Sequence, residues 1–328
     1  MAPVSMIRRR RFLQAAAFLA ATPLAAALRA GPAAGPGIPE PPEGFDDTTT
    51  AEAATRGLDL AGRTVLVTGA TSGIGRETAR VLALRGAHVI GTARSQAGGA
   101  AAAAAIPGRF TPLVLDLADF DSVRDAAVRV RGLVPRLDAL VCNAGIVLDR
   151  LEQVRGIEKT FVVNHLGHFL LVNELLPQVL AAPSGRVVVL GSGDHERAPV
   201  GGIQFDDLSG RGWEARYAHS KLANGLFSLE LARRLRGTRA TSNCVTPGHT
   251  RTNILRHVGD GYRADARTVA VGAATPCYAA VHPAMAGVSG HYLRDFRSAE
   301  QGAVQRDAAM ARRLWDVSEA LVGDAARG

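Results

Sequence analysis

The stretch Thr64-Val65-Leu66-Val67-Thr68-Gly69-Ala70-Thr71-Ser72-Gly73-Ile74-Gly75 runs from a β-branched apolar segment through a glycine-rich turn into a helical pattern. Residues 64–68 read as a strand and 74–85 as a helix, which puts the turn inside a βαβ unit. Glycines at 69, 73 and 75 permit a tight turn and close backbone approach to a pyrophosphate facing the positive end of the helix. The spacing is G-x-x-x-G-x-G rather than the commoner G-x-G-x-x-G, and a glycine-rich turn alone is often only a turn. Its place between strand and helix points to nucleotide binding by Thr68, Gly69, Ser72, Gly73, Ile74 and Gly75.

The same alternation continues downstream. Strands are expected at 87–92, 110–115, 137–142, 186–190 and 240–245, and helices at 96–105, 122–132, 164–180 and 217–235. Near-continuous apolar strands separated by helices imply an α/β fold, a Rossmann-like doubly wound parallel sheet in a single domain. Ligands of such sheets bind outside the carboxyl ends of the strands. The second strand ends Val89-Ile90-Gly91-Thr92-Ala93-Arg94, with no acid to hold a ribose 2′-hydroxyl. Arg94, and Arg76 just past the glycine turn, suit a 2′-phosphate instead, which favours NADP over NAD. The alternative is two ordinary surface arginines in an arginine-rich chain.

Lys159 and Lys221 are the only lysines in the chain. Lys221 lies four residues after Tyr217, so the two share one face of the expected helix. A tyrosine that exchanges a proton near neutrality needs its ordinary pKa of about 10 brought down, and a nearby ammonium does this. Taken alone, Y-x-x-x-K is a weak pattern.

In combination these features resemble the short-chain dehydrogenase/reductase family, over residues 62 to about 322. The resemblance rests on Gly69/Gly73/Gly75, Asp116-Leu117, Asn143-Ala144-Gly145, Asn164, Ser192, Tyr217/Lys221 and Pro247-Gly248. Val163-Asn164-His165-Leu166-Gly167-His168-Phe169 and Ser220-Lys221-Leu222-Ala223-Asn224 are most similar to its retinol dehydrogenase and WW-domain oxidoreductase group. The resemblance implies an NAD(P)-dependent oxidoreductase with Tyr217 as general acid/base and Ser192 as hydrogen-bond partner of the substrate oxygen. It implies that Lys221 lowers the Tyr217 pKa and binds the nicotinamide ribose, with Asn164 holding a proton-relay water. Asp116 and Leu117 would meet the adenine end, Asn143, Ala144 and Gly145 the cofactor floor, and Thr252 the carboxamide, with Pro247 and Gly248 also at the cofactor. One departure stands out: the family usually has Ser-Ser where this chain has Gly191-Ser192-Gly193. A noncatalytic NADP-binding sensor or scaffold is the rival reading, since fold does not dictate function.

The segment 251–271 would set specificity, and its polar Asn253-to-Arg263 run argues for a soluble carbonyl or alcohol over a retinoid. His165, His168, His195 and His219 lack an accompanying carboxylate or cysteine pattern and read as structural, so no metal is expected. Cys142, Cys244 and Cys277 form no disulfide framework and read as small buried hydrophobes.

The net charge of +8 raises the question of a nucleic-acid partner. Four of the basic residues are Arg8 to Arg11, ahead of a short apolar run ending at Leu28. That layout resembles a twin-arginine signal peptide, and the run is too short for a membrane span of roughly 20 residues. Export to the periplasm or cell exterior is the expectation, with a cytoplasmic protein as the alternative. The remaining arginines are scattered, with no basic block or aromatic stacking motif, so nucleic acid is excluded as a partner. Residues 1–30 are read as the signal, 31–61 as a Pro/Gly-rich then acidic linker, and 62–328 as the catalytic domain; self-association stays open.

Overall fold

The computed structural model describes residues 37–254 and 266–324. Seven strands line up in parallel: β1 (Thr64–Val67), β2 (His88–Ala93), β3 (Phe110–Val114), β4 (Ala139–Cys142), β5 (Arg186–Leu190), β6 (Thr241–Thr246) and β7 (Tyr292–Arg294). Their order is 3-2-1-4-5-6-7, closed by a two-residue antiparallel strand β8 (Arg297–Ser298). The order reverses between β1 and β4, and this switch point opens the crevice at the carboxyl ends where the glycine turn lies.

The longer helices are α1 (Gly73–Leu84), α2 (Gln96–Ala105), α3 (Phe120–Leu133), α4 (Gly167–Ala181), α5 (Arg216–Arg234), α6 (Ala274–Val281) and α7 (Ala308–Asp324). Side chains alternate across each strand, so β1 to β5 each feed two core layers. Leu66, Ile90, Leu140 and Val187 pack with α3, α4, α5 and α7, whereas Val65, Val67, Val89 and Val188 pack with α1, α2 and α6. A sheet buried on both faces explains why the strands read as continuous apolar runs.

The structure departs from the sequence reading in three places. The helix expected from residue 164 begins earlier, at Lys159–Phe161, and passes through a π turn at Val162–Leu166 before α4. β7 and α6 had no expected counterpart. The acidic stretch expected as linker is packed from Phe45 onward: Ala51, Ala54 and Leu60 are buried in the α1/α6 layer. Phe45 lies edge-on to Phe296 at 5.0 Å and to Tyr278 at 6.1 Å. The folded unit therefore begins before residue 62, because a few apolar side chains seat the stretch while its carboxylates stay outside. The signal-like segment lies outside the described residues, as do residues 255–265 of the expected specificity segment. Among the described residues no helix is long and apolar enough to cross a membrane.

Arg186, at the start of β5, is almost wholly buried and donates from Nη1 to His282 O (2.8 Å) and Ala279 O (3.3 Å) at the end of α6. Burial pulls its pKa down to about 10. The guanidinium caps the Ala279 carbonyl and shares the His282 carbonyl with Met285 N (3.1 Å), at the helix end that favours a cation. Arg186→Met should therefore cost about 1–2 kcal/mol in urea unfolding: the buried Ala279 carbonyl loses its donor while His282 O keeps Met285 N, partly offset because a buried charge is removed.

Candidate functional site

The glycine turn is fixed by sterics. Gly69 and Gly73 have φ of +68° and +54°, a region that disfavours any Cβ. A Cβ on Gly75 would lie 2.2 Å from Asn143 Nδ2 and 2.3 Å from Gly69 O. The turn thus folds back on itself and on the end of β4. Ser72 is the N-cap of α1 but its side chain makes no capping hydrogen bond, leaving first-turn N–H groups directed at the crevice. Ile74 is half-buried beside them. Thr252 borders the same turn, its Cγ2 3.2 Å from where a Gly73 Cβ would sit.

Thr68 ties β1 to β4. Its Oγ1 accepts from Asn143 N and Ala144 N, both at 2.9 Å, while Asn143 Nδ2 donates to Thr68 O at 2.8 Å. Thr68 Oγ1 also pairs with His168 Nε2 (2.9 Å), and His168 Nδ1 meets Asn164 O (3.0 Å). A carbonyl only accepts, so Nδ1 carries the proton and Nε2 takes the Thr68 hydroxyl proton. One buried histidine therefore connects the floor of the crevice to Asn164. Sequence reasoning assigned His168 no such task; its i+4 offset from Asn164 is the one signal that was available.

At the end of β2, Ala70 N donates to Thr92 O (2.9 Å), which sets Arg94 beside the glycine turn. Arg94 and Arg76 are both exposed, and neither guanidinium has a hydrogen bond or ion pair among the described residues. Asp116 is exposed beyond β3, its Oδ1 accepting from Ala118 N (2.9 Å), and Leu117 is buried against Gly167. Pro247 and Gly248 are half-buried after β6, with Gly248 at φ +68°.

Asn164 sits in the π turn, a widened helical geometry that recurs at functional sites. Its Oδ1 accepts from Ile146 N (2.8 Å), and its Nδ2 donates to Ile146 O (3.1 Å) and Ser220 Oγ (3.0 Å). Ser220 Oγ in turn donates to Tyr217 O (2.7 Å). A Cβ on Gly145 would stand 3.4 Å from Asn164 Oδ1 and 3.7 Å from Lys221 Nζ, so the β4 turn, Asn164 and Lys221 converge.

Lys221 is buried, and its Nζ donates to Leu190 O (2.9 Å), an acceptor shared with Asn224 Nδ2 (3.0 Å). Burial lowers its pKa to about 8, against the pull of Cys244 and Asp194. Nζ lies 5.6 Å from the centre of the half-buried Tyr217 ring. Leu190 ends β5, and two residues on, half-buried Ser192 caps the short helix Gly193–Arg197, which packs on α5. Lys159, the other lysine, pairs with Glu152 at 2.8 Å away from this cluster.

The remaining histidines act in the packing. His165 Nε2 meets Ser318 Oγ at 2.8 Å, and His219 stacks on Trp213 at 3.8 Å while its Nε2 accepts from Gln204 N. All three cysteines are buried thiols.

The chain matches the family model described as short chain dehydrogenase over residues 63–263. It is 39% identical to retinol dehydrogenase 14 of Homo sapiens over 294 residues, covering 80% of this chain and 87% of that one. The solved structure of an uncharacterized protein from Mycobacterium paratuberculosis superposes with a TM-score of 0.69 at 34% identity, covering 82% of this chain and 97% of that one. A short chain dehydrogenase from Shigella flexneri 2a, solved in complex with NADP, superposes with a TM-score of 0.56 at 25% identity, over 71% of this chain and 96% of that one. With its single Rossmann-like domain, the chain belongs to the short-chain dehydrogenase family and is an NAD(P)-dependent oxidoreductase.

Proposed function

We propose that the protein is an NADP-dependent carbonyl reductase or alcohol dehydrogenase in which Tyr217 exchanges the proton. The observation that carries this reading is the buried Lys221 ammonium, anchored on Leu190 O and 5.6 Å from the Tyr217 ring. A lysine held out of water beside a phenol stabilises negative charge on that phenol.

The crevice fits a dinucleotide: a glycine turn with no room for side chains, open helix N–H groups and two exposed guanidiniums without a partner among the described residues are a donor set for phosphates. Thr68, Gly69, Ser72, Gly73, Ile74, Gly75 and Arg76 would hold the pyrophosphate, and Arg94 the 2′-phosphate. Asp116 and Leu117 would flank the adenine; Asn143, Ala144, Gly145, Pro247, Gly248 and Thr252 would line the nicotinamide side. When bound, the nicotinamide supplies or accepts the hydride.

The chain's own part is proton chemistry and position. Ser192 Oγ donates to the substrate carbonyl oxygen, and Tyr217 passes its proton to that oxygen as it becomes an alcohol. The Lys221 ammonium steadies the phenolate left behind. Asn164, clamped by both polar groups of Ile146, holds the water that returns the proton. In the oxidative direction each transfer reverses.

The NADP complex of the Shigella relative supports the cofactor choice, as does the absence of an acid at the end of β2. Arg94→Asp should raise KM for NADPH by about 30-fold or more while changing KM for NADH by less than about 3-fold, the loss of one charge-assisted phosphate contact. The assay is NADPH and NADH oxidation over a panel of soluble aldehydes, ketones and retinaldehyde. Equal effects on both cofactors would refute the Arg94 assignment, and no turnover on any carbonyl would favour the sensor reading. Retinaldehyde belongs in the panel because of the retinol dehydrogenase relative.

A further inference from the structure

Ser192 stands between two glycines, and the structure shows what fills the space their side chains would take. A Cβ on Gly191 would lie 2.8 Å from Cys244 Sγ and 3.0 Å from the Tyr292 ring. A Cβ on Gly193 would lie 3.1 Å from Arg294 Nη2. Tyr292 and Arg294 are alternate residues of β7, so this short strand, with Cys244 of β6, walls the turn. This accounts for glycine where the family usually has a first serine: the site of that side chain is already occupied.

A glycine-flanked serine has many backbone conformations open to it, and something must select one. His195 Nδ1 lies 2.6 Å from Ser192 O, and His195 N donates to the same carbonyl at 3.2 Å. The carbonyl only accepts, so Nδ1 carries the proton. The imidazole is 4% exposed and meets Tyr292 edge-to-face at 5.2 Å. Its Nε2 is buried with no hydrogen-bond partner among the described residues, so the ring is held at Nδ1, which also lies 3.4 Å from Tyr292 Oη, and by packing. Meanwhile Ser192 Oγ accepts from Asp194 N (3.2 Å), which directs the hydroxyl proton away from the turn.

We infer that His195 is a positioning residue: its Nδ1–H bond to Ser192 O, backed by the Tyr292 ring, sets the rotamer and depth from which Ser192 meets the substrate oxygen. This rests on the reading of Ser192 as the substrate's hydrogen-bond partner. The bond needs a donor at the Nδ1 position, which Asn supplies and Gln, one carbon longer, does not.

The test is a panel of His195→Ala, His195→Asn, His195→Gln, Ser192→Ala and the His195→Ala/Ser192→Ala double variant, each assayed for kcat, KM and NADPH affinity by fluorescence. His195→Ala should lower kcat about 30-fold with NADPH affinity within about 2-fold of the parent, the penalty of a misplaced contact. His195→Asn should recover to within about 3-fold and His195→Gln should not; in the Ser192→Ala background His195→Ala should add nothing. Nitrogen NMR of histidine-labelled protein adds a readout free of turnover: the ring signal lost in His195→Asn should belong to the Nδ1-protonated form. Full activity in His195→Ala, equal losses in both backgrounds, or an Nε2-protonated ring would overturn the inference. Full activity in Ser192→Ala would overturn it together with the reading beneath it, whereas an inactive Ser192→Ala beside a fully active His195→Ala would overturn the inference alone.

Discussion

A Tyr217→Phe protein should fold, bind NADPH with parental affinity and lose about 10³-fold in kcat, the range of a single general acid/base. The substitution removes one oxygen and keeps the ring, so the contact between the ring and Lys221 survives and Lys221 stays anchored on Leu190 O. Asn164 is held by Ile146 and Ser220, none of which depends on the phenol oxygen, so the clamp also persists. The loss should fall on kcat and kcat/KM together, because the missing proton is needed only in the transition state. Steady-state kinetics on the best carbonyl of the panel, with fluorescence titration of NADPH, separates the terms. Turnover within about 10-fold of the parent would remove Tyr217 from the mechanism, and a parallel loss of NADPH binding would show the variant to be damaged rather than informative.

Local features of the site are legible in the sequence because their spacing is local. The glycine turn closes within seven residues, and Tyr217 and Lys221 are one helical turn apart. The strands announce themselves by composition, since burial on both faces leaves no polar alternation to confuse the reading. What stays hidden is set by partners distant in the chain. Thr68 and His168 meet across 100 residues, and His165 and Ser318 across 153. The oddity of Gly191 is visible in the sequence, but its cause is not, because Cys244 and Tyr292 reach it only through the sheet order. β7 is three residues long, too short for any period to show. Around Ala51 and Leu60 composition misleads: the acidic majority reads as linker, while the few apolar side chains decide where the segment sits.

Those buried histidines should make the protein acid-labile well above the range where carboxylates titrate. Burial lowers the pKa of His165 to about 3 and of His168 and His219 to about 4, from an ordinary 6.5. Geometry gives the same direction. Protonating His219 at Nε2 abolishes its bond from Gln204 N, and its Nδ1 has no described acceptor. His165 Nδ1 likewise has no described acceptor. His168 Nε2 takes the only hydroxyl proton Thr68 has, while Thr68 Oγ1 already accepts from Asn143 N and Ala144 N. A second ring proton there would force apart the tie between β1, β4 and Asn164. Neighbouring charges add to this: Lys221 opposes charging of His168, and His165 faces both His168 and His219.

The sign follows from linkage. Above about pH 7 neither folded nor unfolded chain holds these protons, and stability is indifferent to them. As pH falls through 6.5 the unfolded chain takes them up and the folded chain does not, so stability drops until the folded values near 4 and 3 are reached. By pH 5 each histidine should cost on the order of 2 kcal/mol, and three together approach the whole stability of an ordinary domain. Buried His88 and half-buried His282 shift in the same direction and add to the trend. The urea midpoint should therefore fall steeply from about pH 7 to about pH 5. The paired change His165→Leu with Ser318→Ala replaces both ends of one buried bond by apolar groups and should flatten that slope by about 1.4 kcal/mol per pH unit. A midpoint constant over this interval, or a double variant with the parent's slope, would show that these rings accept protons inside the fold. The steady hold of His168 on Asn164 would then fail as well, because only the neutral ring can take the Thr68 proton and still donate to the Asn164 carbonyl.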